Sequence, residues 1–185
     1  MSHDGRSGRE RPGTGATGRP YRTMASDYSG PGVEAELTGV IGGGEAGYDT
    51  LYTARASSTG GRSGRVRTDD GLLDLEMRAP EQLGGPGGAS NPEQLMAAAY
   101  AACFHSSLTL VAGQEGVDTT GASVDTEVEL RRRGRHDDYV IGVDVTVHLP
   151  EVDPRLAGHI AERAHAHCPY SKALLGNVDV GLHLA

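Results

Sequence analysis

The chain holds two cysteines, and each lies in an unusual short setting. Cys103 ends the apolar run Leu95-Met96-Ala97-Ala98-Ala99-Tyr100-Ala101-Ala102-Cys103, which follows Asn91-Pro92-Glu93-Gln94. Cys168 lies in His167-Cys168-Pro169-Tyr170-Ser171. One thiol in an Ala-rich helix and another at a helix end before a proline point to two-thiol redox chemistry, in which one cysteine attacks a substrate and the other resolves the product. A thiol among apolar neighbours has a raised pKa and is inert, so a reactive Cys103 needs a cation nearby. Arg62 is the candidate, on the glycine-flanked turn Thr59-Gly60-Gly61-Arg62-Ser63-Gly64. Glu93, at the start of the helix that carries Cys103, could hold the guanidinium by a bidentate contact. Cys168, beside His165, His167 and Pro169, is expected to be partly exposed, which suits a resolving thiol.

Three other readings use the same residues. Without a cation, Cys103 is a small core hydrophobe. Cys103, His105, His165, His167 and Cys168 are enough ligands for zinc. A Cys-x-His pair does not face one way on a helix, however, so no metal is expected. A structural disulfide across so long a loop would contribute on the order of 4 kcal/mol, but it is less expected in a protein that is not exported.

The elements that must position these groups are legible as patterns. Thr50–Ala56 has strand-like composition, the turn around Arg62 follows, and Arg65–Thr68 reads as a short strand. Leu73, Leu75 and Met77 alternate with Asp74, Glu76 and Arg78, the period of a half-buried strand. The loop 83–89 is glycine-rich but lacks the residues of a phosphate cradle. It reads as a tight connector that brings backbone close to a helix. A helix is predicted over 92–112, with Asn91 as N-cap, Pro92 at its first position and Gly113 as its stop. Its centre is small and apolar, so burial all round is expected. Strands over 122–133 and 139–149 each show one apolar face. A second helix, 154–167, presents Leu156, Ile160 and Ala164 and ends at Cys168-Pro169. A last strand covers 178–184. Strands and helices come in blocks, so the fold class is α+β.

Composition narrows the partners. Residues 1–45 hold 11 of the 28 glycines and nothing periodic, and read as a disordered Gly/Arg-rich tail. Residues 46–185 form the domain, enough for one sizeable core. The net charge of −8 argues against nucleic acid. The run Arg131-Arg132-Arg133 reads as a strand end before a turn at Gly134 and Asp137-Asp138. There is no apolar leader and no long apolar stretch, so a soluble, cytoplasmic protein with no membrane partner is expected.

The motifs together resemble the organic hydroperoxide resistance proteins, the Ohr branch of the OsmC/Ohr superfamily, over nearly all of 49–184. The matching stretches are Leu51-Tyr52-Thr53-Ala54, Thr59-Gly60-Gly61-Arg62, Leu83-Gly84-Gly85-Pro86-Gly87-Gly88, Asn91-Pro92-Glu93-Gln94-Leu95, Ala101-Ala102-Cys103-Phe104, and Cys168-Pro169-Tyr170-Ser171 followed by Gly176-Asn177-Val178-Asp179-Val180. The resemblance implies antiparallel sheets packed around two central helices, in an intertwined homodimer with active sites at the subunit interface. It also implies a peroxidatic Cys103, a resolving Cys168, an activating Arg62 held by Glu93, no bound cofactor, and a lipoylated protein or dihydrolipoamide-type dithiol as external reductant. The substrate class would be organic hydroperoxides, with Leu95, Met96, Phe104 and Tyr170 taking the organic group. The tail, a loop before Asn91 one residue shorter than is common, and His105 depart from the family pattern. The alternatives are an OsmC-type peroxidase of broader specificity and a non-catalytic thiol switch.

Overall fold

The computed structural model describes residues 49–134 and 138–185. The expected tail and part of the expected turn after Arg133 lie outside the described residues.

Two three-stranded sheets and three helices follow one another along the chain. The first sheet is an antiparallel meander of β1 (Ala56–Thr59), β2 (Arg65–Thr68) and β3 (Asp74–Glu76). Leu73, Leu75 and Met77 turn inward and Asp74 and Glu76 outward, as their alternation requires. The strand expected from Thr50 starts only at Ala56, and Leu51 and Tyr52 are 95% and 80% exposed. Strand composition does not make a strand where no described residue pairs with it.

The glycine-rich loop folds back on the strand side rather than on a helix. The amides of Gly85 and Gly87 donate to the carbonyls of Pro80 and Ala79, and a parallel bridge joins Met77 to Ser90.

α1 (Pro92–Gln114) starts as its sequence dictates. Asn91 Oδ1 accepts from the Gln94 amide at 3.0 Å, and Gln94 Oε1 accepts from the Asn91 amide at 3.1 Å, a reciprocal capping box. The helix runs through Gly113 and ends at Gly116, whose φ of +69° only glycine adopts freely. Val117 donates to Ala112 and Gly116 to Gly113, so the freed carbonyls are met in a Schellman turn. Of two glycines three apart, the left-handed one is the stop.

α1 is not buried all round. Tyr100, Phe104, Leu108 and Val111 enter the core, while Ala98, Ala102, Ser106, Thr109 and Leu110 are exposed. By length and composition this helix is apolar enough to cross a membrane, contrary to the expectation of no long apolar stretch. The core helix of a folded domain has the same composition.

The second sheet joins β4 (Ser123–Arg132), β5 (Tyr139–His148) and β6 (Val180–Leu184). β4 and β5 pair antiparallel in the register Val128↔Val143. β6 pairs with β5 in parallel, so the sheet is mixed and not wholly antiparallel as expected. The reason is the connection: α2 (Pro154–His167) and α3 (Pro169–Leu174) carry the chain across before β6, the crossover a parallel pair needs. α2 buries Ala157, Ile160, Ala161 and Ala164, a stripe rotated from the expected one, with Leu156 at its exposed edge. Val143, Val145 and Val147 of β5 meet the buried faces of α1 and α2 in a single core.

Candidate active site

α1 carries two of the four expected site residues. Glu93 stands in its first turn and Cys103 nearly three turns later, a rise of about 15 Å along the axis.

Arg62 lies in a single 3-10 turn, Gly61–Ser63, between β1 and β2. A Cβ at Gly64 would stand 1.8 Å from the Thr59 carbonyl oxygen, so the turn closes only with glycine there. Its guanidinium meets Glu93 end-on, Nη1 to Oε2 at 2.7 Å and Nη2 to Oε1 at 2.5 Å. The two side chains are 36% and 16% exposed. The hydrogen bonds from Arg62 hold the Glu93 carboxyl below the usual carboxylate range, and those to Glu93 raise Arg62. Arg62, Ala79, Leu83, Leu130 and Tyr139 line a cavity of about 380 Å³. Its four uncharged members were not singled out in the sequence. Leu130 and Tyr139 come from facing ends of β4 and β5, a juxtaposition only the register reveals.

The thiols meet 65 positions apart in sequence. Sγ of Cys168 lies 3.7 Å from Sγ of Cys103, both reduced. Their exposures are the reverse of the expectation: Cys103 is partly exposed and Cys168 is fully buried. The junction explains it. Cys168 caps the end of α2 and the start of α3 in extended conformation, and Pro169 turns the new helix back onto α1, closing over the sulfur. Burial pushes the Cys103 thiol up, the Tyr170 amide opposes this, and the Cys168 thiol adds to the rise. Among the described residues no hydrogen bond joins Arg62 to Cys103. The expected pairs are therefore both formed, Arg62 with Glu93 and Cys103 with Cys168, with no hydrogen bond between the two pairs among the described residues.

Around the sulfurs lies a shell of polar and aromatic groups. Tyr100 Oη and Ser171 Oγ are 2.8 Å apart and buried. The Tyr100 ring stands 5.9 Å from that of Tyr170 and 6.4 Å from that of Phe104. Phe104 is wholly buried, so it is a core residue and not a wall for substrate. His167 Nδ1 lies 3.2 Å from Ser107 Oγ. Among the described residues no three His, Cys, Asp or Glu side chains cluster as metal ligands, so the zinc reading has no ligand set there.

Residues 85–183 match the profile of the OsmC-like protein family. The chain belongs to that family. It is 42% identical over 137 residues to the organic hydroperoxide resistance protein of Xanthomonas axonopodis pv. citri, covering 73% of this chain and 95% of that one. A solved organic hydroperoxide resistance protein OsmC from Legionella pneumophila superimposes with a TM-score of 0.70 at 42% identity, covering 74% of this chain and 99% of the other. A putative organic hydroperoxide resistance protein from Vibrio cholerae, with captopril bound in one of its active sites, matches with a TM-score of 0.70 at 36% identity over 74% of this chain and 93% of that chain. This OsmC-like domain thus has the α+β fold its motifs implied, and its likeness runs to proteins named for hydroperoxide resistance.

Proposed function

We propose that this OsmC-like protein reduces organic hydroperoxides to alcohols, using Cys103 as the attacking thiol and Cys168 as the resolving one. The observation that carries the reading is the 3.7 Å approach of a partly exposed sulfur to a fully buried one. Substrate meets the outer thiol first, and the inner one waits behind it. The Cys103 thiolate attacks a peroxide oxygen, the O–O bond breaks, and the alkoxide takes a proton and leaves as alcohol. Cys103 is left as a sulfenic acid. Cys168 then displaces hydroxide, which leaves as water with the thiol proton, and a disulfide forms. An external dithiol of the dihydrolipoamide type, free or on a lipoylated protein, reduces it by exchange and is itself oxidised. Captopril is a thiol, and its place in a relative's active site supports the access of a thiol reductant.

Burial pushes the Cys103 thiol up, so the chemistry needs a cation beside it, and among the described residues no cation is hydrogen-bonded to Cys103. We infer that Arg62, aligned by Glu93, serves at a subunit interface of a homodimer. The exposed Leu51, Tyr52 and the Ala98–Ala102–Leu110 side of α1 are surfaces that such a dimer would cover. The cavity at Arg62 would take the organic group against Leu83, Leu130 and Tyr139, favouring alkyl or lipid hydroperoxides over hydrogen peroxide. Comparable rates with cumene hydroperoxide and hydrogen peroxide would instead favour the broader OsmC-type activity. The biological role follows as defence against oxidative stress, and the compartment as the cytoplasm.

The deciding experiment is the intact mass of the reduced protein after one equivalent of an organic hydroperoxide, beside Cys168→Ser. Wild type is expected to lose two hydrogens and the variant to gain one oxygen. No change in either overturns the reading. Repeated turnover with excess dithiol separates an enzyme from a thiol switch, which would stop after one cycle.

A further inference from the structure

Two pairs of residues face each other across the thiol site. On α1, Tyr100 and Cys103 are three positions apart, and at the α2–α3 junction so are Cys168 and Ser171. On α1 that spacing puts both residues on one helix face, and at the junction Cys168 is the N-cap of α3 and Ser171 its third residue. The sulfurs stand 3.7 Å apart, and the two hydroxyls beside them are joined at 2.8 Å.

The hydroxyl contact has more to hold than its size suggests. α3 has six residues, too few to be stable as a free helix. It is cut off from α2 by the extended Cys168, with φ −60° and ψ 124°, and by Pro169, which has no amide to continue the ladder. Its orientation is therefore set by what it touches on α1. It meets α1 through the Tyr170 amide at Cys103, the Tyr170 ring 5.9 Å from that of Tyr100, and the hydrogen bond of Ser171 with Tyr100; the last joins two buried residues, so neither hydroxyl can exchange its partner for bulk water.

We propose that the Tyr100–Ser171 hydrogen bond is a latch that keeps the Cys168 thiol against Cys103, and thereby decides how the Cys103 sulfenic acid divides between resolution and overoxidation. Both are positioning residues, and the inference rests on the peroxidase reading above. In resolution the sulfenic acid and the Cys168 thiol give a disulfide and water, and the sulfurs close from 3.7 Å to about 2.05 Å. In overoxidation the sulfenic acid takes one oxygen from a second hydroperoxide, giving a sulfinic acid and a second alcohol. The first step is intramolecular and depends on how the two sulfurs are held. The second depends on hydroperoxide concentration. Releasing the latch slows only the first.

The test uses Ser171→Ala and Tyr100→Phe, each of which removes one oxygen from opposite ends of the bond, together with the double variant, which leaves no orphaned hydroxyl. Reduced full-length proteins are treated with graded cumene hydroperoxide, and intact mass gives the disulfide and sulfinic fractions. The concentration that overoxidises half the protein is expected to fall about five- to tenfold in all three, the scale of one buried hydrogen bond. The rate of the first oxidation, read in the same variants combined with Cys168→Ser, is expected to stay at its wild-type value. An unchanged half-point in either foldable single variant overturns the latch. So does a double variant restored to wild-type partition, since an orphaned hydroxyl would then be the cause. A matching fall in the first oxidation rate also overturns it, as general damage to the site. A wild type that forms neither disulfide nor any oxidised Cys103 defeats the peroxidase reading itself.

Discussion

The thiol end and the arginine end of this site are built in different ways. The partly exposed Cys103 meets the buried Cys168 at the edge of the core, between α1 and a junction closed by a proline, with buried hydroxyls beside them. Arg62 and Glu93 meet at the rim, between a glycine-closed turn of the small meander and the first turn of α1. Each pair is complete within the chain, and among the described residues no hydrogen bond or ion pair joins one to the other. One folded chain thus places the two sulfurs within reach of each other, and under the proposed function thiolate activation would wait on assembly. Burial pushes the Cys103 thiol up, and a cation beside it would favour the thiolate.

The largest expected effects come from dividing these two ends. Cys103→Ser removes the nucleophile, and hydroperoxide turnover should fall to background, at least about a thousandfold. Arg62→Ala should leave the thiols in place but raise the Cys103 pKa further, slowing turnover on the order of a hundredfold. Alkylation of Cys103 against pH, in Cys168→Ser, should shift to higher pH in that variant, because a lost cation disfavours the thiolate. Mixed dimers sharpen the point. If Arg62 serves Cys103 of the partner subunit, combining inactive Arg62→Ala and Cys103→Ser chains should restore about a quarter of wild-type activity under random mixing. A mixture as inactive as its parents places the activation within one chain.

Next comes a change at the rim that touches no functional group. Gly64→Ala would set a methyl group against the Thr59 carbonyl, so the turn must open and carry Arg62 off Glu93. Turnover is expected to fall roughly tenfold, toward but not to the Arg62→Ala level. Disulfide formation by a small oxidant such as diamide should keep its wild-type rate, because the thiol end does not depend on this turn. Slow disulfide formation in this variant would erase the distinction between the two ends.

Much of this was legible in the sequence, for identifiable reasons. Local signals carried the helix start at Asn91-Pro92, the alternation through Leu73–Met77 and the facing strands of β4 and β5, since each is fixed by neighbours in the chain. The pairing of Arg62 with Glu93 was legible from charge and turn chemistry, and that of Cys103 with Cys168 from their motifs. What escaped depended on partners distant in sequence. The exposures of the two cysteines are inverted because Cys168 is buried at the start of α3, a short helix that the sequence pattern after Pro169 does not announce. The parallel pairing of β6 follows from a crossover, and the walls Leu130 and Tyr139 from register. Tyr100 could have been found, three residues before Cys103 on one helix face, but its partner Ser171 could not.

The smallest effect tests whether the rim pair also holds the fold. Glu93 keeps its carboxyl below the usual carboxylate range through the Arg62 hydrogen bonds, so the native state favours its ionised form. The stability this supplies is fully present above the unfolded value of about 4.3, and is lost as pH falls through the lower native value. Arg62 stays charged throughout and sets no window of its own. With the Arg62 side chain 36% exposed, solvent screening limits the contribution to about 1 kcal/mol or less. In urea unfolding at fixed protein concentration, wild type should therefore exceed Glu93→Gln slightly at pH 7, and the difference should shrink toward pH 3. A difference that persists at pH 3 would mean that Glu93 acts by packing rather than by charge. A difference absent at both pH values, with turnover still reduced by Glu93→Gln, would make the rim a device for aligning the guanidinium and assign the stability of the domain to the core alone.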